Sequence, residues 1–135
     1  MTGYAGISIL LIVGLGDLGT AAKKNVGTAA GQVPDMSAFP CLLEESGWEI
    51  LPNGKIRQWG LAQMESSEGG NKVVTLPIPF PNKALNAQVS VNAPTNYQGN
   101  IAIYVVGVTN TTLTLVQDNA TTTYVTKAYW EVIGK

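Results

Sequence analysis

The sequence contains no histidine and a single cysteine in 135 residues. The missing histidine excludes Ser-His-Asp and Cys-His catalysis, imidazole metal sites and the commonest general base near neutral pH. With one cysteine and no histidine, a zinc site lacks its usual ligands, and an intrachain disulfide is impossible. Cys41 is expected as a small buried hydrophobe rather than a nucleophile. Charge is also scarce. Only 13% of residues are Asp, Glu, Lys or Arg, against about a quarter in ordinary domains. The net charge of −1 offers no electrostatic reason to expect nucleic acid or an anionic membrane as partner. The apolar run at 7–13 is too short to cross a bilayer, so no membrane insertion is expected. The start, Met1-Thr2-Gly3-Tyr4, lacks the positive charge of a signal peptide.

Apolar residues make up 45% of the chain, and the mean hydropathy is +0.14. A small protein with so little charge is expected to cover apolar surface with partner subunits. The stretch Gly47-Trp48-Glu49-Ile50-Leu51-Pro52-Asn53-Gly54-Lys55-Ile56-Arg57-Gln58-Trp59-Gly60 reads as a β-hairpin. Asn53-Gly54 is a strong signal for a two-residue type I′ turn. That turn places Ile56 opposite Leu51, Arg57 opposite Ile50 and Trp59 opposite Trp48. The two tryptophans are then a cross-strand packing pair, with a ligand platform as the alternative.

Upstream, Gly14-Leu15-Gly16-Asp17-Leu18-Gly19 matches the glycine spacing of a dinucleotide-binding turn. The context does not. Gly27 and Gly31 fall where a helix interior should be, and no βαβ unit follows. A repeat fits better. Gly19-Thr20-Ala21-Ala22 recurs eight residues later as Gly27-Thr28-Ala29-Ala30. Small residues at a short period suit an extended shaft in which chains approach closely, and a flexible linker is the alternative.

These segments resemble known ones. Residues 14–34 are similar to the shaft repeats of phage and prophage tail fibre proteins. Leu51-Pro52-Asn53-Gly54-Lys55-Ile56-Arg57-Gln58-Trp59-Gly60, Leu76-Pro77-Ile78-Pro79-Phe80-Pro81-Asn82 and Tyr129-Trp130-Glu131-Val132-Ile133-Gly134 resemble, in the same order, the C-terminal head of such fibres. The resemblance implies a homotrimer at the fibre tip of a virion, recognising bacterial surface glycan or lipopolysaccharide, with an assembly chaperone as a further partner.

The remaining pattern is that of strands. Val74, Leu76, Ile78 and Phe80 alternate with Thr75 and prolines, which suits an edge strand. Leu85, Ala87, Val89, Val91 and Ala93 alternate with Asn86, Gln88, Ser90 and Asn92, a half-buried strand. Residues 101–108 are apolar on both faces, which predicts burial on both sides, either in a sandwich centre or against another subunit. Residues 111–117 and 122–133 complete the set. In the last strand Tyr124, Ala128, Trp130 and Val132 share one face, with Lys127, Tyr129 and Glu131 on the other. The expected fold is an all-β antiparallel β-sandwich head over 47–135. It follows a short, extended, repeat-containing shaft segment and connector over 1–46, in a trimeric assembly.

Nine acids are present, but no pair shows the spacing of a catalytic carboxylate dyad. No catalytic residue, cofactor or metal is expected. Sugar binding needs only planar polar side chains and aromatic rings, without net charge. Two polar loops have that makeup. Asn96, Tyr97, Gln98 and Asn100 form one candidate glycan-binding set, and Asp118 and Asn119 a second, although Asn and Gly are also ordinary turn residues. A fibre-borne polysaccharide-degrading enzyme and a purely structural collar remain the rival functions.

Overall fold

The structure, a computed structural model, describes residues 18–64, 70–95, 100–118 and 126–135. The chain divides into two compact units, residues 1–38 and 39–135. Most of the glycine motif at 14–19 lies outside the described residues.

In the first unit, strands β1 (Val26–Gly27) and β2 (Val33–Pro34) pair in parallel, with Val26 opposite Val33. The first copy of the Gly-Thr-Ala-Ala repeat forms a 3-10 turn at Thr20–Lys23. The second lies in the turn between β1 and β2, where Ala29 N–H donates to Gln32 Oε1 at 2.9 Å and Gly31 adopts φ 82°. The turn therefore uses glycine where a side chain would be strained. No residue at 18–38 is buried, so the described part of this segment has no core of its own. Ser37 donates its backbone N–H and hydroxyl to Asp35 Oδ1, which holds the Asp35 carboxyl below its ordinary range.

The second unit is a sandwich of two antiparallel sheets. Its strands are β3 (Cys41–Leu42), β4 (Gly47–Ile50), β5 (Ile56–Gln63), β6 (Asn71–Thr75), β7 (Ala84–Asn92), β8 (Ala102–Val108), β9 (Thr112–Asp118) and β10 (Lys127–Gly134). The larger sheet has the order β3-β4-β5-β10-β7 and the smaller β6-β9-β8. No α-helix occurs among the described residues. The last strand, β10, is an interior strand of the larger sheet, paired along its whole length with β5 and β7. Its alternation is as expected over the described residues: Ala128, Trp130 and Val132 are buried, whereas Lys127 and Tyr129 are exposed. Tyr124 lies outside them.

The core draws on both sheets. Ile56, Ala62, Ala128, Trp130 and Val132 come from the larger one and Ile103, Leu113 and Leu115 from the smaller. Burying each large side chain contributes about 1.5–3 kcal/mol. Three polar residues are buried as well, Gln58, Gln117 and Thr126. Gln58 is fully buried; its Nε2 donates to Ile78 O at 2.9 Å and its Oε1 accepts from Ile78 N at 3.0 Å.

That bond bears on the proline-rich segment, which is not the edge strand its alternation suggested. Strand β6 stops at Thr75, because Pro77, Pro79 and Pro81 have no N–H to give a ladder. Individual bonds hold it instead: Leu76 N to Thr111 O, Phe80 N to Asn110 O, and the two from Gln58. Leu76 and Phe80 are buried. Phe80 fills the space over Gly134, where a Cβ would come within 2.4 Å of its ring.

Three further expectations are corrected. Strand β8 does not lie at a sandwich centre, which leaves another subunit as the expected cover of its outer face. It is an edge of the smaller sheet, and Tyr104 and Val106 are 51% and 56% exposed. Cys41 is exposed rather than buried, because two-residue β3 is the outer strand beyond β4.

The hairpin forms, but one residue out of register. Ile50 faces Ile56, Glu49 faces Arg57 and Trp48 faces Gln58. Leu51 N–H donates to Lys55 O, and Gly54 N–H donates to Leu51 O. The loop is thus the three residues Pro52-Asn53-Gly54. Proline favours the second position of a type I turn, and Gly54 at φ 77° completes the bulge. Asn53 Oδ1 accepts from Lys55 N–H at 3.0 Å. A one-residue shift moves side chains to the other face, so Trp48 and Trp59 are not a pair. They lie on opposite faces of the sheet.

Candidate functional site

The register puts Trp59 opposite Gly47 on one side and Glu131 on the other. Glu131 in turn faces Gln88 of β7. Trp59, Glu131 and Gln88 therefore form one row across β5, β10 and β7 on the outer face of the larger sheet. The next row along is Leu61, Tyr129 and Ser90. Strands lie about 4.8 Å apart and alternate residues about 7 Å apart. The two rows thus span roughly 10 by 7 Å, the footprint of one or two sugar rings. A groove of about 460 Å³ lies here, lined by Glu45, Trp59, Gln88, Ser90, Tyr129 and Glu131, with Gly60, Val89 and Trp130 at its base.

The indole of Trp59 is fixed from two directions. Its Nε1 donates to Glu44 O at 3.0 Å, which also draws the loop carrying Glu45 to the groove. Its ring lies across Gly47, where a Cβ would stand 2.7 Å from Cζ2. Glycine is needed at 47 so that the ring can lie flat against β4. Tyr129 is 55% exposed.

Beside Trp59, Arg57 Nε and Nη2 both donate to Glu131 Oε2, at 2.8 and 2.6 Å, and Nη1 reaches Glu49 Oε1 at 3.4 Å. These partners raise the guanidinium pKa above its ordinary value, chiefly through the Glu131 hydrogen bonds. The group is half-exposed, so each pair is worth about 0.2–1 kcal/mol. Its larger effect is to hold the Glu131 carboxylate in place at the groove. No group of acidic or cysteine side chains suited to a metal occurs among the described residues. The chemistry available is stacking on two rings and hydrogen bonding to an amide, a hydroxyl and two carboxylates.

The candidate residues named from the sequence lie elsewhere. Asn96, Tyr97, Gln98 and Asn119 are outside the described residues. Asn100 precedes β8 and is exposed; Asp118 ends β9 opposite Ala102. Only Asp118 belongs to the smaller sheet, and neither residue lines the groove. Sequence reasoning missed Gln88, Ser90, Tyr129 and Glu131 as a group, although it placed each on a polar strand face.

Residues 50–135 match the family described as tail fiber protein gp53-like, C-terminal. The fold is similar to that of the P. aeruginosa R1 pyocin fiber (C-terminal residues 323–701), with a TM-score of 0.61 and 21% identity over 72% of this chain and 28% of that one. An N-truncated R2-type pyocin tail fiber gives 0.59 and 25%, over 72% of this chain and 37% of that one. An uncharacterized protein of Methanocaldococcus jannaschii, MJ0347, is 32% identical over 71 residues, 52% of this chain and 47% of that protein. The chain spans less than half the length of each. With the family match covering most of the sandwich, the chain belongs to the gp53-like tail fiber proteins, as a phage-type tail fibre component.

Proposed function

We propose that this chain is the receptor-binding head of its fibre, placed at the tip, where it binds glycan or lipopolysaccharide on the bacterial surface for host adsorption. The observation that carries the reading is the groove on the outer face of the larger sheet. There the indole of Trp59, locked by Glu44 and Gly47, and the exposed ring of Tyr129 stand beside Gln88, Ser90 and Glu131. Rings for C–H stacking and planar polar groups for hydroxyls are what a sugar needs. The test is adsorption of particles carrying Trp59→Ala or Tyr129→Ala fibres. Adsorption should fall at least about tenfold while folding is retained, and host lipopolysaccharide should compete with the unaltered fibre. Undiminished adsorption in both variants would refute the site.

A homotrimer is part of the proposal. The outer face of the smaller sheet carries Val73, Tyr104 and Val106, each more than half exposed, among Thr75, Thr112 and Thr114 of the same face. Such a face suits a second copy of the chain, and trimerisation would add avidity to weak sugar contacts. The non-enzymatic reading is also a proposal, since Glu45 and Glu131 line one groove. Incubation with host polysaccharide should release no new reducing ends; their release would favour a hydrolase.

A further inference from the structure

The charge of the groove bears on which sugars it takes. Among the described residues, the only charged ones lining it are Glu45 and Glu131. The nearest cation, Arg57, is outside the lining; it turns its Nε and Nη2 to Glu131 and its Nη1 to Glu49, which commits three of its five N–H donors to carboxylates. Lys127 lies two residues beyond Tyr129, where it lines a separate recess with Asn92, Pro94 and Thr95. A ligand stacked on Trp59 therefore meets two carboxylates and no cation among the described lining residues. Both Arg57 bonds to Glu131 fall on Oε2, which leaves Oε1 as the oxygen to meet a ligand donor.

Resting on the reading of this groove as a sugar site, we propose that it selects neutral and amino-bearing sugars and rejects sugars carrying a carboxylate or phosphate. Glu131 and Glu45 are the specificity-determining residues; Trp59 and Tyr129 supply the stacking common to every sugar. Anionic rings lose twice here. They find no arginine fork or ammonium to replace their hydration, and they face like charge. An ammonium gains an exposed charge-assisted contact, worth a factor of about two to five per carboxylate.

The experiment uses the full chain and three monosaccharides that share one ring: N-acetylglucosamine, protonated glucosamine and glucuronate. Binding is read from the Trp59 indole N–H signal, identified by its loss in Trp59→Phe. Glucosamine should bind about threefold to fivefold tighter than N-acetylglucosamine, and glucuronate at least about tenfold weaker. Glu131→Gln should collapse the glucosamine preference toward unity and strengthen glucuronate binding, with N-acetylglucosamine little changed. Glu45→Gln, in an exposed loop, should act the same way to a smaller extent without touching the Arg57 network. Glucuronate binding as tightly as N-acetylglucosamine would overturn the charge selection and leave the sugar site standing. The same holds for ratios unchanged in both variants. No response of the Trp59 signal to any of the three sugars would overturn the selection and the sugar site together.

Discussion

Gln58 offers the most exacting check on how the sandwich is held together. It is the polar link between the larger sheet and the proline-rich segment, fully buried, with its amide donating to Ile78 O and accepting from Ile78 N. Gln58→Leu keeps the volume but leaves a buried N–H and C=O without partners. Each orphan costs about 1–3 kcal/mol, so the loss should be about 2–6 kcal/mol. Gln58→Glu is more discriminating. A protonated carboxyl can copy the amide, donating to Ile78 O and accepting from Ile78 N. A carboxylate can only accept, and sets its charge against Ile78 O. Burial and that clash raise the folded-state pKa above the unfolded value of about 4.3. The variant should therefore approach wild-type stability below about pH 4. It should lose about 1.4 kcal/mol for each pH unit as pH rises from there to the folded pKa, and then level off. A pKa raised by about 3 units corresponds to a loss of about 4 kcal/mol, for a unit of this size roughly 15–30 °C in Tm. Urea unfolding followed by tryptophan fluorescence, at fixed protein concentration because assembly shifts apparent stability, measures both. A Gln58→Leu variant within about 0.5 kcal/mol of wild type would refute the reasoning. So would a Gln58→Glu variant whose deficit does not change with pH.

Three further outcomes are expected. Trp130→Ala should cost about 3–5 kcal/mol in the same unfolding assay, since the ring is 3% exposed, whereas Trp59→Ala should cost much less and act mainly on host adsorption. Gly60→Ala should destabilise by about 1–3 kcal/mol, because its Cβ would stand 2.5 Å from the Trp130 ring in a packed core; an unchanged denaturation midpoint would disprove that close approach. Val106→Asp, on the exposed face of the smaller sheet, should lower the oligomer mass seen by light scattering while leaving the circular dichroism of the sandwich unaltered.

Local pattern carried far in this sequence, and long-range pairing did not. The alternation of residues 127–134 is enough to separate Trp130 and Val132 from Tyr129, and it holds because a central strand leaves its inward side chains no other place to go. The hairpin at 47–60 is legible from Asn53-Gly54, but its register is decided one residue earlier. Pro52 favours a three-residue loop, and that single residue moves Trp59 from a packing pair to a groove wall. The doubly apolar strand at 101–108 says only that both faces are apolar, not whether a second surface covers both. The groove itself joins Trp59, Gln88 and Glu131 from three strands far apart in sequence. Nothing local announces that β10 inserts between β5 and β7. The polar loops drew attention because amides and an aromatic are contiguous there, whereas the groove assembles the same chemistry from separate strands.

The Trp–Gly contacts have one more consequence. Trp59 sits across Gly47 on the outer face, and Trp130 sits across Gly60 on the inner face. Two consecutive residues of β5 thus serve opposite purposes, a ring for the exterior and a notch for the interior. A one-residue insertion or deletion in β5 would swap these assignments and ruin exterior and interior together. Substitution at the outward positions 88, 90 and 129 has no such penalty, because the inward neighbours Ala87, Val89 and Trp130 are untouched. The architecture therefore separates what can vary from what cannot. With the groove as the proposed receptor site, exchanging a few outward side chains would change the host the fibre meets, while the sandwich beneath keeps its shape.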